Sequence, residues 1–370
     1  MKRLTFLLVL LMSCGMIWAA SDEPKGLEIG EKAPDFSLPG VDGKTYTLDD
    51  FSEAKILVMI FTCNHCPTAQ AYEERIKKLV TDYGDKGVAV VAISPNDEKS
   101  VRLDEMGYTD LNDGLEDMKL RAEAHQFNFP YLYAGDKPEW CMSYGPAATP
   151  HVFIFDENRE LRYQGRIDNA DDPKKVTAHD TRNAIEALLA GVPVPVVNTR
   201  TFGCSIKYPD KRHTVTEFTE RIRKEQVTVE KIDLEGIRQL MKNDSGKLRL
   251  INFWATFCGP CRAEFPDLVE IHHMYRHRNF ELVTVSVDTD DKHDQVLEFL
   301  KEQYASTKNY HFMGDVYQLM EAVDPNWKGA IPYTLLVNAE GKIIYSIMDQ
   351  IDPLKVKREI VSVIGRTYFD

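Results

Sequence analysis

Two Cys-x-x-Cys motifs and their flanks constrain the fold of this 370-residue chain more than any other feature. Residues 63–66 read CNHC, and residues 258–261 read CGPC. A β-rich apolar run precedes each motif and an amphipathic helical pattern follows it, at 56–61 and 69–83 in the first case and at 248–254 and 262–277 in the second. The motifs lie 195 residues apart, too far for the shared zinc ion of a zinc ribbon. Each motif is therefore predicted to lie where a strand turns into a helix, whose dipole stabilises a thiolate.

The two halves continue to match beyond the motifs, so the chain contains a diverged internal repeat. A second β-rich run follows in each half, at 88–94 and 281–287, and later a proline, Pro150 or Pro332, opens another strand. The first half carries about 13 extra residues, assigned to the polar stretch 96–117. Helical patterns near 181–190 and 353–368 end the halves. The unit β–α–β–α–β–β–α predicts an α/β fold, with a mixed sheet and helices on both faces in each half.

Both halves resemble thioredoxin-fold domains. Residues 253–266, FWATFCGPCRAEFP, are similar to the TlpA-like branch of exported thiol-disulfide oxidoreductases. The first half resembles the redoxin (AhpC/TSA-like) branch in GEKAPDFSL at 30–38, VDGK at 41–44, CNHCP at 63–67 and GCSIK at 203–207. The resemblance implies two tandem thioredoxin-like domains, at 24–210 and 228–370, joined by a linker at 211–227.

The N-terminus has the pattern of an export signal. Lys2 and Arg3 precede an uncharged apolar run at 4–18, and small residues follow at 19–21, so residues 1–20 are predicted to be a cleaved signal peptide. An uncleaved anchor and lipoprotein processing at Cys14 are the alternatives. We expect the mature protein in the periplasm or cell envelope, with membrane contact only through the signal peptide or a lipid anchor.

Composition excludes one class of partner. The formal charge is −13, and nucleic acid binding needs an excess of Lys and Arg. No cofactor beyond the redox-active cysteine pairs is predicted. The family resemblance implies protein disulfide substrates and a membrane electron donor, with an overall function of reducing or exchanging protein disulfides.

The resemblance also implies roles for the four motif cysteines. The first cysteine of each pair, Cys63 or Cys258, is expected at an exposed turn as the attacking thiolate. The second, Cys66 or Cys261, is expected one turn into the helix, where it resolves the mixed disulfide. His65 resembles the histidine of more oxidising family members. Its pair is therefore predicted to be the more oxidising one, and electrons would flow from the second domain to the first. The alternative is an exposed His65 with no role.

Two further features are assigned from the family pattern. Pro150 and Pro332 match the cis-proline that faces the dithiol and supports the substrate backbone. Asn252 occupies the position of the buried aspartate of thioredoxins, so that proton acceptor is missing. Glu264 matches a glutamate of TlpA-like members that would accept the proton of the resolving thiol. The alternative is that Glu264 is a first-turn acid favoured by the helix dipole.

Two other functions stay open from the sequence. A thiol peroxidase is disfavoured. When Cys66 is aligned with the peroxiredoxin cysteine, the proline and threonine that precede that cysteine in peroxiredoxins are replaced by Met59 and Cys63. A copper or zinc carrier would use the motif cysteines and His65 together with His151.

Two cysteines lie outside the motifs. Cys141 and Cys204 either form a structural bridge with each other, or Cys204 is a third redox cysteine beside the first pair.

Overall fold

The computed structural model describes residues 26–370, so the predicted signal peptide lies outside the described part of the chain. The first half folds around a five-stranded mixed sheet of order β5-β4-β3-β6-β7, preceded by the small antiparallel hairpin β1-β2. Its strands are β1 (Ser37–Pro39), β2 (Thr45–Thr47), β3 (Ile56–Phe61), β4 (Val88–Ser94), β5 (Tyr131–Tyr133), β6 (His151–Phe155) and β7 (Leu161–Gly165). Its helices are α1 (Pro67–Tyr83), α2 (Leu115–Ala124), α3 (Pro138–Tyr144) and α4 (Asp180–Leu189).

The second half has the same arrangement around a six-stranded sheet of order β13-β12-β9-β10-β11-β8. After the connecting helix α5 (Arg212–Ile222), its strands are β8 (Glu230–Ile232), β9 (Leu248–Trp254), β10 (Phe280–Ser286), β11 (Lys308–Phe312), β12 (Tyr333–Val337) and β13 (Ile343–Ile347). Its helices are α6 (Leu234–Lys242), α7 (Gly259–Tyr275), α8 (His293–Glu302), α9 (Val316–Val323) and α10 (Pro353–Ile364). The predicted tandem of α/β domains is confirmed.

The central strands carry the motifs to equivalent places. β3 and β9 are buried along their whole length, in agreement with their continuous apolar sequence. Each pairs in parallel with the following strand and antiparallel with the strand that follows the proline. Each also leads directly into the loop and helix that hold its cysteines. This topology places a Cys-x-x-Cys motif beside a proline in both domains.

The extra residues of the first half contact the second domain. Apolar side chains of this segment, among them Val101 and Met106, join the hydrophobic core that lies along α7 and β9. The Tyr275 hydroxyl donates to the Thr109 carbonyl oxygen at 2.7 Å. The Arg366 guanidinium pairs with Asp110 at 2.5 Å. The polar stretch 96–117 is thus an interdomain element, and α5 occupies most of the stretch predicted as a linker.

No helix within residues 26–370 combines the length and the apolar character that crossing a bilayer requires.

Candidate active sites

The second dithiol lies at the N-terminus of α7. Cys258 is the N-cap residue, and its Sγ accepts a hydrogen bond from the backbone N–H of Cys261 at 3.2 Å. The two sulfurs form a disulfide with an S–S distance of 2.00 Å. Cys261 lies in the first turn of the helix and is fully buried. The predicted position of Cys261 within the helix is confirmed, whereas Cys258, expected at an exposed turn, lies at the turn but is buried.

An exposed aromatic residue lies beside this disulfide. Cys258 is 7% exposed, but the neighbouring Phe257 is 76% exposed. The peptide bond between Ile331 and Pro332 is cis, as predicted, and the Ile331 carbonyl oxygen lies 3.6 Å from Cys258 Sγ. An exposed aromatic ring and a backbone carbonyl thus flank the sulfur that a substrate would meet first.

The same helix carries a buried carboxylate. Glu264 is fully buried in the second turn of α7, so it is not a first-turn acid favoured by the dipole. Its Oε1 accepts from Asn252 Nδ2 at 2.8 Å, and its Oε2 accepts from the Ile351 N–H at 2.8 Å. Burial raises the pKa of Glu264 to about 7, despite these hydrogen bonds. A carboxyl group with this pKa can exchange a proton near neutral pH.

The first dithiol has a different relation to its helix. α1 begins at Pro67, so the N-cap residue is Cys66, and its Sγ accepts from the Ala69 N–H at 3.4 Å. Cys63 lies in the loop before the cap and is 2% exposed. The prediction that Cys63 lies at an exposed turn and Cys66 one turn into the helix is therefore wrong. Since the helix terminus stabilises a thiolate, the second cysteine of this motif has the position that Cys258 has in the other.

The residue before the first cis-proline contacts both cysteines of this pair. The bond between Thr149 and Pro150 is cis, as predicted. The Thr149 hydroxyl lies 3.1 Å from Cys63 Sγ, and its carbonyl oxygen accepts from Cys66 Sγ at 3.3 Å. Both cis-prolines thus face their dithiols.

His65 is buried and ion-paired, so it is not an exposed residue without contacts. Its Nδ1 lies 2.5 Å from Asp113 Oδ2. The other oxygen of Asp113 accepts the backbone N–H groups of Asn64 and His65 at 2.8 and 3.0 Å. Burial lowers the pKa of His65, but the charge and hydrogen bond of Asp113 outweigh burial and raise it. Sequence reasoning missed Asp113, although it lies in the segment 96–117 that the repeat had singled out.

These contacts separate the two thiols of the first pair. Burial raises the pKa of the Cys63 thiol well above its usual value. Burial also opposes ionisation of Cys66, but hydrogen bonds with the Cys204 and Cys63 thiols and the charge of His65 outweigh it and lower the pKa of Cys66 well below its usual value. Cys66 is therefore the more acidic thiol of the first pair.

Cys141 and Cys204 do not form the structural bridge that was one of the two predictions. Both are free. Cys141 is fully buried in α3, where its Sγ lies 3.6 Å from the Ala134 carbonyl oxygen. Cys204 packs against Cys63 and Cys66 instead. The structure brings together the predicted first pair and Cys204, the residue proposed as the alternative third redox cysteine.

One group of possible metal ligands occurs among residues 26–370. Ligand atoms of Cys63, His65 and Asp113 lie within 4.8 Å of one another. His151, which the sequence suggested as a ligand, is not a member of this group: its Nδ1 accepts from the Ala147 N–H at 3.0 Å and its ring packs on Phe153. Because His65 and Asp113 already satisfy each other, the group is better described as an ion pair beside a thiol.

Comparison with known proteins matches both halves to one family model. Residues 29–164 and 213–346 each match the AhpC/TSA family. Among curated proteins, the chain is 28% identical over 118 residues to a thiol-disulfide oxidoreductase ResA of Bacillus cereus, covering 32% of this chain and 64% of that protein. It is 32% identical over 123 residues to the thiol:disulfide interchange protein CycY of Rhizobium leguminosarum bv. viciae, covering 31% and 58%. The matches thus span less than two thirds of either relative.

Solved structures match at the level of single halves. A hypothetical protein of Sinorhizobium meliloti 1021 is 33% identical, with a TM-score of 0.44, covering 50% of this chain and 96% of that one. A putative thiol:disulfide interchange protein DsbE of Chlorobium tepidum is 22% identical, with a TM-score of 0.35, covering 44% and 99%.

Proposed function

The chain belongs to the AhpC/TSA family, and on that premise we propose that it is an exported thiol-disulfide oxidoreductase that reduces or exchanges protein disulfides in the cell envelope. The observation that carries this proposal is the Cys258–Cys261 disulfide at the N-terminus of α7, beside a cis-proline and an exposed phenylalanine. Curated relatives named as thiol-disulfide oxidoreductases support it.

In the reduced second domain, the Cys258 thiolate attacks one sulfur of a substrate disulfide, and the other substrate sulfur leaves as a thiolate. The Cys261 thiol then loses its proton and attacks Cys258 Sγ. This step releases the reduced substrate and closes the Cys258–Cys261 disulfide. Glu264 is the proposed proton acceptor for Cys261. The backbone of Ile331, before cis-Pro332, is the proposed support for the substrate chain.

The remaining parts of the proposal rest on sequence. Residues 1–20 act as the signal peptide, and the domains extend over 24–210 and 228–370. A membrane electron donor returns the second dithiol to its reduced state. Membrane contact goes through the signal peptide or a lipid anchor, nucleic acid is not a partner, and the cysteine pairs are the redox groups without a further cofactor.

Insulin reduction with a dithiol donor tests this function. Cys258→Ser should lose nearly all activity, because the attacking sulfur is gone, whereas Cys63→Ser should keep most of it. Cys141→Ala, which removes a buried cysteine of α3 outside both motifs, is the control and should match the parent. Full insulin reduction by Cys258→Ser would overturn the assignment of the second domain as the reducing one.

Hydroperoxide reduction is a second candidate, favoured by one observation. Cys66 lies at a helix N-cap with a lowered pKa, as a peroxide-attacking thiolate requires. The proline and threonine positions of the peroxiredoxin motif still hold Met59 and Cys63. Peroxide consumption that Cys66→Ser abolishes and Cys258→Ser preserves would favour this candidate. Absence of consumption in the parent would exclude it.

A further inference from the structure

Three cysteines converge in the first domain. Cys204 exchanges two backbone hydrogen bonds with Thr149, at 3.0 and 3.3 Å, in an isolated antiparallel bridge. Because Thr149 also contacts Cys63 and Cys66, this bridge holds Cys204 against the motif. The side chains of the three cysteines pack together in one cluster. Cys66 is thus positioned to form a disulfide with either neighbour.

The three sulfurs differ in access. Cys63 and Cys66 are 2% and 0% exposed, whereas Cys204 is partly exposed. Cys204 lines a cavity of about 450 Å³ that lies between the domains. The first domain contributes His65, Pro67 and Lys207 to its wall, and the second contributes Met274, Arg278 and Tyr368. A reagent in this cavity meets Cys204 before either motif cysteine.

The second dithiol cannot reach this cavity in the present arrangement. Met274, which lines the cavity, lies thirteen positions after Cys261 on α7. That separation corresponds to roughly 20 Å along a helix axis. Thiol-disulfide exchange requires contact between sulfurs, so the thiol that enters the cavity comes from outside the chain.

We propose that Cys204 is the entry member of a three-cysteine relay. A low-molecular-weight thiol in the interdomain cavity exchanges with a Cys66–Cys204 disulfide. This disulfide interconverts with the buried Cys63–Cys66 disulfide. The proposal extends the proposed function to the first domain and rests on it for the redox role of the motif. A small thiol is the substrate class because two docked domains wall the cavity, and its volume of about 450 Å³ suits a small molecule and not a folded protein.

The steps balance. Starting from a Cys63–Cys66 disulfide, the Cys204 thiolate attacks Cys66 Sγ, and Cys63 leaves as a thiolate that takes up the proton lost by Cys204. An external thiolate then attacks the accessible Cys204 Sγ and releases the Cys66 thiolate. A second external thiol attacks the bound thiol's sulfur and releases Cys204. Two thiols are oxidised to one disulfide, and the Cys63–Cys66 disulfide is reduced to two thiols.

The leaving group favours the second step, the attack of the external thiolate on Cys204. A thiol of low pKa leaves more readily in thiol-disulfide exchange. Attack on Cys204 expels Cys66, the thiolate that the helix N-cap and the charged His65 stabilise. Attack at Cys66 Sγ would instead expel Cys204. Cys66 Sγ is also harder to reach than Cys204 Sγ, because Cys66 is fully buried.

The test uses the full chain with Cys258→Ser and Cys261→Ser, which silences the second dithiol, and glutathione as the probe. In this background, Cys63→Ser treated with oxidised glutathione should yield a Cys66–Cys204 disulfide in peptides mapped after acid quench. Reduction of the Cys63–Cys66 disulfide by reduced glutathione should slow roughly tenfold or more in Cys204→Ser and in Cys204→Ala. Cys141→Ala is the matched control and should keep the parent rate.

The relay is overturned if Cys63→Ser carries glutathione on Cys66 while Cys204 stays free. It is also overturned if both Cys204 variants are reduced at the parent rate. Neither readout involves the second dithiol, so failure of the relay is distinguishable from failure of insulin reduction, which depends on Cys258.

Discussion

The two Cys-x-x-Cys sites follow equivalent strands, yet opposite cysteines cap their helices. In the second domain Cys258 is the N-cap, and in the first domain Cys66 is. Proline placement accounts for the difference. The residue before a proline is disfavoured in helical conformation, so Cys66, which precedes Pro67, stays extended and the helix starts after it. In CGPC the residue before the proline is Gly259, whose missing Cβ permits the helix to start one residue earlier.

The sites also differ in what surrounds the sulfurs. The second has a buried carboxylate behind it and an exposed aromatic ring beside it, which suits a protein substrate. The first has a His–Asp pair and a third thiol, and both of its motif cysteines are buried. Under the proposed function and the proposed relay, the same motif serves two kinds of exchange in one chain, and contacts outside the motif set the difference.

The largest expected effect concerns the bridge that holds the third thiol. Gly203 has φ +141°, and a Cβ there would lie 2.0 Å from the Thr149 carbonyl oxygen. Gly203→Ala should lower the free energy of unfolding by more than about 3 kcal/mol in denaturant titration and abolish the Cys66–Cys204 disulfide.

Gly191→Ala is the matched control for this change, because Gly191 also has a positive φ but has no atom within 4 Å of the added Cβ. It should cost only about 1 kcal/mol. Equal losses in the two variants would show that backbone conformation, and not the bridge, sets the cost.

The next effect concerns the buried carboxylate of the second domain. The pKa of Glu264 is raised from 4.5 to about 7, so its ionisation destabilises the folded state increasingly between these pH values and fully above them. Glu264→Gln should therefore raise the unfolding free energy by about 1–3 kcal/mol at pH 8 and leave it nearly unchanged at pH 4. The variant should also reduce insulin more slowly at pH 7, because the proton acceptor is lost.

Calorimetry at both pH values measures the stability change, and Glu340→Gln, on an exposed turn of the same domain, is the control. A stability gain of Glu264→Gln that is the same at pH 4 and pH 8 would contradict ionisation as its cause.

A smaller effect is expected at the His–Asp pair of the first domain. Asp113→Asn removes the charge that raises the pKa of His65, so the ring becomes neutral and no longer stabilises the Cys66 thiolate. In chains that lack the second dithiol, alkylation of Cys66 by iodoacetamide at pH 6 should slow roughly tenfold, which corresponds to about one pKa unit.

Asp117→Asn tests whether this effect is specific. Asp117 lies on the same segment and accepts the Asn112 N–H at 2.7 Å, whereas the contacts of His65 are with Asp113. Its alkylation rate should equal that of the parent, and a similar slowing in both variants would point to a general disturbance of the segment.

The smallest effect concerns communication between the two sites. Because Cys261 lies thirteen positions along α7 from Met274, which lines the cavity beside Cys204, direct exchange within one chain requires the domains to separate. Arg366→Gln removes the ion pair with Asp110 and should speed disulfide transfer between the domains roughly twofold. Acid quench and peptide mapping at successive times measure the transfer rate. Lys342→Gln, an exposed change in the second domain, should leave the rate unchanged, and slower transfer in Arg366→Gln would show that docking assists exchange.

The sequence predicted the parts of these sites that depend on local pattern. Two thioredoxin-like domains and the four motif cysteines were identified from local features. These features are the apolar runs before the motifs, the helices after them and the prolines at matching distances. The placement of Cys66 one turn into the helix was wrong because the family pattern of the second motif was applied to the first. Pro67, directly after Cys66, was the available signal for the different helix start.

What the sequence by itself determined is the repeated α/β unit, because hydrophobic periodicity and the strand-to-helix position of each motif are local properties. Only the tertiary structure decided that Asp113 pairs with His65, that Cys204 lies against Cys66, and that the segment 96–117 docks the second domain. Each of these contacts joins residues that are distant in the chain or belong to segments without periodicity. Their placement depends on how the sheets and loops pack, and local sequence carries no signal for that packing.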